Sequence, residues 1–540
     1  MSGPRPCAAG QTDRVISIEE ATRAVETAQR VVDGAVAAMN ARGGPDSAQV
    51  LAYDVAHAAA ALDCARAALD YSSRGEAEAS VAAVFIGEVL AGLQAVTAGR
   101  EALWGVEPNW WSSVASSMAE ARDPDWIAQQ ADVALASPSH LDDDFQMVAD
   151  SFGRFAQDRI APVAEHVHRT NGDIPAEVLE GLAKLGGFGL SVPEEYGGFA
   201  TGGESDYMGM VVATEELSKA SLGVGGSLIT RPEILTRALV KGGTEEQRKH
   251  WLPQLATGET LVAVAVTEPD FGSDVAGMTT TATRSDGGWV ITGVKTWCTF
   301  AARANALMLL ARTDPDKSAG HRGLSLFIVP KPVGEGEGFR FDGERGGTME
   351  GRPIDTIGYR GMHSYEVALD NWWVPEENLV GGEAGLGRGF YLTMEGFENG
   401  RLQTAARAVG LMQAAVDAAA TYAKDRKVFG KAVGDYQLTQ VKLARMASVT
   451  QVARQNAYRV ATLMAKGEGT LEVAMLKAYV CRAAEWVTRE AMQIHGGMGY
   501  AEEFPVSRYF VDARVLSIFE GADETLALKV VARRLGERAA

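Results

Sequence analysis

The chain is predicted to be α+β, with an all-helical extension in front of a helical domain, a β-domain and a C-terminal helical bundle. Three observations carry that expectation. Apolar residues recur at helical spacing from Ser17 to about Thr257. Short apolar runs of strand length replace them between 260 and 380. Long helical text returns after the glycine-rich tract 381–389 and continues to the end. The expected division is 1–140 for the extension and its connector, 141–259 for the helical domain, 260–384 for the β-domain and 385–540 for the C-terminal helical domain.

Residues 1–13 read as a loose polar tail. Ser17-Ile-Glu-Glu20 has the form of a capping box, and Ala21, Ala24, Val25, Ala28, Val31 and Val32 continue one apolar face until Gly43-Gly-Pro45. A second helix is expected over 47–73 and a third over 76–103; their broad apolar faces favour a hairpin or small bundle. Trp104-Gly-Val-Glu-Pro108-Asn-Trp-Trp111 opens a partly helical connector, which Trp110 and Trp111 are expected to pin to a neighbouring surface. Phe145, Val148, Phe152, Phe155 and Ile160 predict a helix ending before Pro162. Further helices are expected over 175–185, 206–219 and 245–257, and strands over 260–266, 289–297, 306–311, 324–329 and 366–369.

A net charge of -19 over 540 residues leaves no basic excess to neutralise phosphates, so nucleic acid is not an expected partner. Cys7, Cys64, Cys298 and Cys481 are scattered without metal-ligand spacing and read as reduced thiols of a cytoplasmic protein. No metal site is expected. Neither a signal peptide nor an apolar run long enough for a membrane span is read from the text.

Four stretches carry candidate chemistry. Val266-Thr267-Glu-Pro-Asp-Phe-Gly272-Ser273 is a strand end entering a glycine-containing loop, where backbone N–H groups and hydroxyls can approach a flat, acceptor-rich ligand. Gly293-Val-Lys-Thr-Trp297-Cys-Thr299 offers an aromatic wall and a hydrogen-bonding tip. Gln493-Ile-His-Gly496-Gly497 allows close backbone approach. Finally, Val515-Leu-Ser-Ile-Phe-Glu520-Gly521 sets one carboxylate among apolar neighbours before a glycine. Such a carboxylate is either a buried base, its proton affinity raised by desolvation, or an ordinary helix end meeting water.

Together with Asp425-Arg426-Lys-Val-Phe429-Gly430, these stretches resemble, in order and approximate spacing, the acyl-CoA dehydrogenase family of flavoenzymes over about 142–536. The resemblance implies FAD bound between subunits of a homodimer or homotetramer. It implies that Val266, Thr267, Ser273, Trp297 and Thr299 hold the flavin and pyrophosphate, while Arg426, Phe429, Gln493, Gly496 and Gly497 reach the adenosine half. Glu520 would be the base that takes the α-proton of an acyl-CoA while the β-hydrogen leaves as hydride to the flavin. Electron-transferring flavoprotein would take the electrons, and Ser273, Arg401 and Gly521 would contact the thioester. Two departures stand out: Ala522 occupies a position that is commonly Thr, and Gly400 is not acidic where some relatives place the base, leaving Glu398 as the reserve.

The long front extension, including Trp104-Gly-Val-Glu-Pro108, is similar to that of family members acting on a short branched dicarboxylyl-CoA. Such a substrate needs a cation or several donors for its distal carboxylate. Arg231 in Ser227-Leu-Ile-Thr-Arg-Pro232 is the candidate, although a surface helix-cap arginine reads equally well, and His363 and Tyr365 are weaker ones. A thioester of another short acyl group, or a catalytically idle flavin-binding partner protein, remain the alternatives.

Overall fold

A computed structural model of the chain describes residues 17–334, 336 and 338–540. The polar tail and Cys7 lie outside the described residues. The chain forms two compact units. Of the described residues, one unit takes those of 17–139, Val416–Asn456 and Ala527–Ala540, and the other takes those of His140–Ala415 and Ala457–Leu526.

In the first unit the capping box forms as expected, starting a helix over Ile18–Ala41, followed by helices over Gln49–Ser72 and Glu76–Thr97. The third helix does not run to 103. It stops at Ala98, and a separate turn over Glu101–Trp104 follows Gly99, whose φ of +72° suits glycine and breaks the helical path. Only one of the paired tryptophans pins the connector: the Trp110 indole donates to Thr97 Oγ1 at 3.1 Å, whereas Trp111 is exposed. The extension packs on later chain. Val84, Ile127 and Ala131 share a core with Val441 and Ala444. Gln451 donates to the Tyr71 hydroxyl at 3.1 Å, and Asn456 to Asp63 at 3.2 Å. Glu76–Thr97 is long and apolar enough to cross a membrane by length and composition, yet 61% of its most apolar window is buried in the protein.

In the second unit Asp142 caps a helix over Asp143–Phe155. Contrary to expectation it does not end before Pro162. A π-helical stretch, Ala156–Ile160, leads straight into Ala161–Thr170, and this local widening just before Pro162 lets the helical path continue past a residue that has no N–H to donate. Helices over Ala176–Lys184, Glu204–Ala220 and Glu245–Thr257 lie close to their predicted places. The Thr230–Gly242 helix had no sequence prediction, and its first seven residues are all buried.

Eight strands form one sheet: β1 (Val262–Ala265), β2 (Thr281–Ser285), β3 (Gly288–Thr299), β4 (Ala306–Arg312), β5 (Leu324–Pro330), β6 (Phe339–Asp342), β7 (Thr348–Ile354) and β8 (Ser364–Pro375). Their order is β1-β4-β2-β3-β8-β7-β6, with β5 on β4. β1, and β4 as far as Ala311, are apolar because both faces are covered. Ala263, Ala265, Leu307 and Leu309 enter one core, while Val262, Val264, Met308 and Leu310 enter another. The first of these cores packs on helices around Phe152 and Leu217, the second on helices around Leu235 and Leu252. Long helices then follow over Gly389–Asp425, Gln437–Ala465 and Thr470–His495, and Val506–Leu516 leads to Glu520.

Candidate active site

The first two chemical stretches meet across the β1 exit. Thr296 N–H donates to the Thr267 carbonyl at 2.8 Å, and buried Lys295 donates to the Val266 carbonyl at 3.1 Å and to Glu268 at 3.0 Å. Burial alone would raise the Glu268 pKa. Lys295 and the Thr279 and Thr280 donors outweigh that and hold it down to about 2. The ion pair thus clamps the turn that carries Thr267. Beside it, a register shift in β3 leaves Trp297 at φ +56° and 55% exposed. A bulky residue held at positive φ with an exposed ring is strained in the way functional sites tolerate. Thr299 is buried and shares a hydrogen bond of 3.1 Å with Ser364. Exposed Ser273 accepts from the Thr525 hydroxyl at 3.0 Å, so Thr525, three residues beyond Ala522, is the hydroxyl that joins the Glu520 turn to this loop.

Glu520 itself is not an ordinary helix end. Its side chain is only 5% exposed, and its φ of +54° turns the carboxylate back into the protein. The position it meets is Gly400 on the Gly389–Asp425 helix. A Cβ there would lie 2.7 Å from Glu520 Oε2, so glycine is what lets the carboxylate sit against the helix. Glu398, the reserve base, is two residues away and therefore about 200° around the helix from Gly400. The Gly521 carbonyl accepts from buried Lys477 at 2.7 Å, and Arg401 Nε lies 4.0 Å from the Cβ position of Gly521. Desolvation lowers the Lys477 pKa, as expected for an ammonium sealed behind the turn.

Arg231 is not a surface cap. It is buried, with Nη1 3.8 Å from Glu520 Oε1. Burial alone would disfavour its charge, but Tyr359 and Glu520 outweigh that, and its pKa is raised. Tyr359 is set by Asp512, which accepts its backbone N–H at 2.6 Å, and by a hydrogen bond from its hydroxyl to Ser227. A second cation, Arg407, was not singled out by the sequence. It is fully buried on the same helix as Gly400, donates to Thr230 at 3.0 Å and lies over the Phe519 ring at 5.0 Å. Burial lowers its pKa. Arg231 Nε and the Nε and Nη1 of Arg407 are buried without a hydrogen-bond partner. Leaving such donors unpaired costs about 1–3 kcal/mol each, more for charged groups. Arg231 also sits in the first turn of the Thr230–Gly242 helix, whose positive end already favours an anion. Two guanidinium groups therefore act on one carboxylate, Arg231 at 3.8 Å and Arg407 electrostatically, with donors left over for another.

The weaker distal-carboxylate candidates are engaged elsewhere. His363 contacts Asp173 at 3.2 Å, and the Tyr365 hydroxyl donates to the Gly336 carbonyl at 2.9 Å. Arg426 is exposed, and Phe429 is fully exposed at the tip of the hairpin formed by Lys427–Val428 and Lys431–Ala432 in the first unit. In the second unit Gln493, Gly496 and Gly497 are exposed after the Thr470–His495 helix, and a Cβ at either glycine would meet nothing within 4 Å.

Comparison with known proteins then decides the family. Residues 142–259, 263–372 and 387–536 match the N-terminal, middle and C-terminal domains of acyl-CoA dehydrogenase. The chain belongs to the acyl-CoA dehydrogenase family. It is 44% identical to (2S)-methylsuccinyl-CoA dehydrogenase of Cereibacter sphaeroides, covering 74% of this chain and 71% of that protein. It is 37% identical to isovaleryl-CoA dehydrogenase of Solanum tuberosum, covering 73% and 92%. Among solved structures, butyryl-CoA dehydrogenase from Megasphaera elsdenii aligns with a TM-score of 0.66 at 30% identity, covering 73% of this chain and 99% of that one. A glutaryl-CoA dehydrogenase from Mycobacterium smegmatis in complex with FADH2 aligns with a TM-score of 0.65 at 25% identity, covering 74% and 96%. As a family member the chain is an FAD-dependent oxidoreductase acting on the CH–CH group of an acyl-CoA. The exposed Trp297 wall, the clamped Thr267 turn and the open Gly496–Gly497 backbone fit a flat cofactor with a phosphate-bearing tail.

Proposed function

We propose that this acyl-CoA dehydrogenase oxidises (2S)-methylsuccinyl-CoA to mesaconyl-CoA, with Glu520 as the base, and serves the ethylmalonyl-CoA pathway in the cytoplasm. The observation that carries the substrate reading is the surplus of buried cationic donors beside Glu520. Arg231 and Arg407 leave three N–H-bearing nitrogens unsatisfied, which the distal carboxylate of a short dicarboxylyl group would pair. A neutral butyryl or isobutyryl chain would leave them orphaned. The 44% identity to a methylsuccinyl-CoA dehydrogenase supports the same reading.

Glu520 accepts the α-proton. Gly400 gives its carboxylate room, and Arg231 holds it from one side. Lys477 fixes the Gly521 carbonyl and so the strained turn behind the base. Phe519 and Tyr359, packed edge-to-face with centroids 5.6 Å apart, help keep water from the carboxylate. FAD, when bound along Val266, Thr267, Ser273, Trp297 and Thr299, supplies the hydride acceptor for the β-hydrogen. Ser273, Arg401 and Gly521 are the proposed thioester contacts. Arg426 and Phe429, with Gln493, Gly496 and Gly497, are the proposed contacts to the adenosine half in a homodimer or homotetramer, a role their exposure allows. Electron-transferring flavoprotein is the proposed electron acceptor. A chain from a structural study of the electron transferring flavoprotein of Acidaminococcus fermentans aligns at 30% identity with a TM-score of 0.65.

The test is anaerobic bleaching of the flavin by a panel of short acyl-CoAs. Methylsuccinyl-CoA should bleach fastest. Faster bleaching by butyryl- or isobutyryl-CoA would overturn the substrate and leave the class standing.

A further inference from the structure

We propose that Glu233 is a specificity-determining positioning residue, whose carboxyl group sets how much net positive charge the pocket presents to the distal carboxylate of the substrate. The inference rests on the dicarboxylyl-CoA reading above. Glu233 lies on the Thr230–Gly242 helix with a side chain 1% exposed. On its own helix it pairs with Arg237, whose Nε is 3.4 Å away. From the Gly389–Asp425 helix the Gln403 amide hydrogen-bonds its other oxygen, and Arg407 acts on it electrostatically. Glu520 acts on it from the turn after Val506–Leu516. Tyr207 of the Glu204–Ala220 helix holds Arg237 by a 3.3 Å hydrogen bond and a ring contact of 4.6 Å, and Arg237 Nη2 has no partner.

Three guanidinium groups thus share one buried region with two carboxyl groups. With Glu233 and Glu520 both ionised, the five groups carry one surplus positive charge, beside Lys477 and Arg401 at the Glu520 turn. With Glu233 protonated, the surplus is two. Burial raises the Glu233 pKa to about 7, against the opposing pull of Arg237 and Arg407. The pocket therefore changes charge near neutral pH. An anionic acyl group favours the protonated form, so its affinity falls as the pH rises through 7. A neutral acyl group has no charge with which to sense the change. Gln403 donates to the same carboxyl in either state, so the switch alters charge without dismantling the contact.

The experiment uses the holoenzyme, with methylsuccinyl-CoA and butyryl-CoA as the two probes, and reads their KM values from pH 6 to 8. Expected is a rise in the ratio of the methylsuccinyl to the butyryl KM by up to about tenfold, the size of one charge interaction across a few ångströms of protein interior. Glu233→Gln, a permanently neutral analogue, should flatten that ratio at its low-pH value. A purely structural role would move both KM values together and preserve the slope. A flat ratio in the unmodified enzyme, which needs no variant to fold, overturns the inference while leaving methylsuccinyl-CoA as substrate. An undiminished slope in Glu233→Gln overturns it equally. Failure to turn over methylsuccinyl-CoA at all, with butyryl-CoA oxidised, overturns both the substrate reading and this inference.

Discussion

Gly400→Ala separates the stability of this enzyme from its chemistry. The added methyl would stand 2.7 Å from Glu520 Oε2 and 3.3 Å from its Cδ. That is about 0.7 Å short of an ordinary carbon–oxygen contact, and the group that must move is the far end of a flexible side chain. The helix itself gains from the change, because alanine is favoured over glycine in a helix interior by about 1 kcal/mol. The thermal midpoint should therefore hold or rise slightly. The base, displaced by most of an ångström from the α-carbon it must reach, should lose about 10–100-fold in kcat, since a 1 Å misplacement can cost on the order of a hundredfold. Stopped-flow flavin reduction with saturating thioester, beside calorimetry of the same preparation, reads both quantities. Glu520→Gln supplies the comparison, with an expected loss of about 10²–10⁴-fold or more from removal of the base. A Gly400→Ala enzyme with undiminished flavin reduction would refute the placement of the base against this helix.

Two further outcomes follow from the buried charges. Arg407→Met should raise KM for methylsuccinyl-CoA by the equivalent of about 2–3 kcal/mol, or roughly 30–150-fold, while changing KM for butyryl-CoA far less. Equal losses on both thioesters would remove Arg407 from distal-carboxylate recognition. Lys295→Met should lower the thermal midpoint at pH 7, because it leaves Glu268 buried and unpaired, at a cost of about 3–5 kcal/mol. In the native chain the depressed Glu268 pKa contributes stability that is fully present above its ordinary value of 4.5 and is lost as the pH falls through about 2. Without Lys295 that carboxylate takes up its proton at higher pH, so the difference in midpoint between variant and native chain should shrink between pH 7 and 4. A pH-independent difference would point to lost packing instead.

Much of the second unit was legible because its signals are local. Strand-length apolar runs mark β1, β4 and β5, whose buried faces demand apolar side chains whatever lies opposite. β2, β6 and β7 were missed because they are short or largely exposed and carry Thr, Arg and Asp where a pattern search wants apolar residues. The Thr230–Gly242 helix was missed for a related reason. Arg231, Glu233 and Thr236 interrupt the apolar spacing by which a buried helix is recognised, yet all three are buried, with Arg231 and Glu233 paired to other charged groups. Nor did local periodicity show that the front extension would pack on 416–456 and the final residues, since that pairing depends on complementary surfaces far apart in the chain.

By itself, the sequence determined the family and the cofactor and put Glu520 forward as the candidate base, since ordered motifs of glycine, tryptophan and carboxylate survive as text. Tertiary structure alone decided what surrounds that carboxylate. Gly400, Arg231 and Arg407 come from two helices more than a hundred residues from it along the chain, and their meaning lies in distances that no spacing records. Charge inside a protein acts through space, over a few ångströms of poorly screened interior. A lone glutamate before a glycine meets buried guanidinium groups only when the fold brings those neighbours to it.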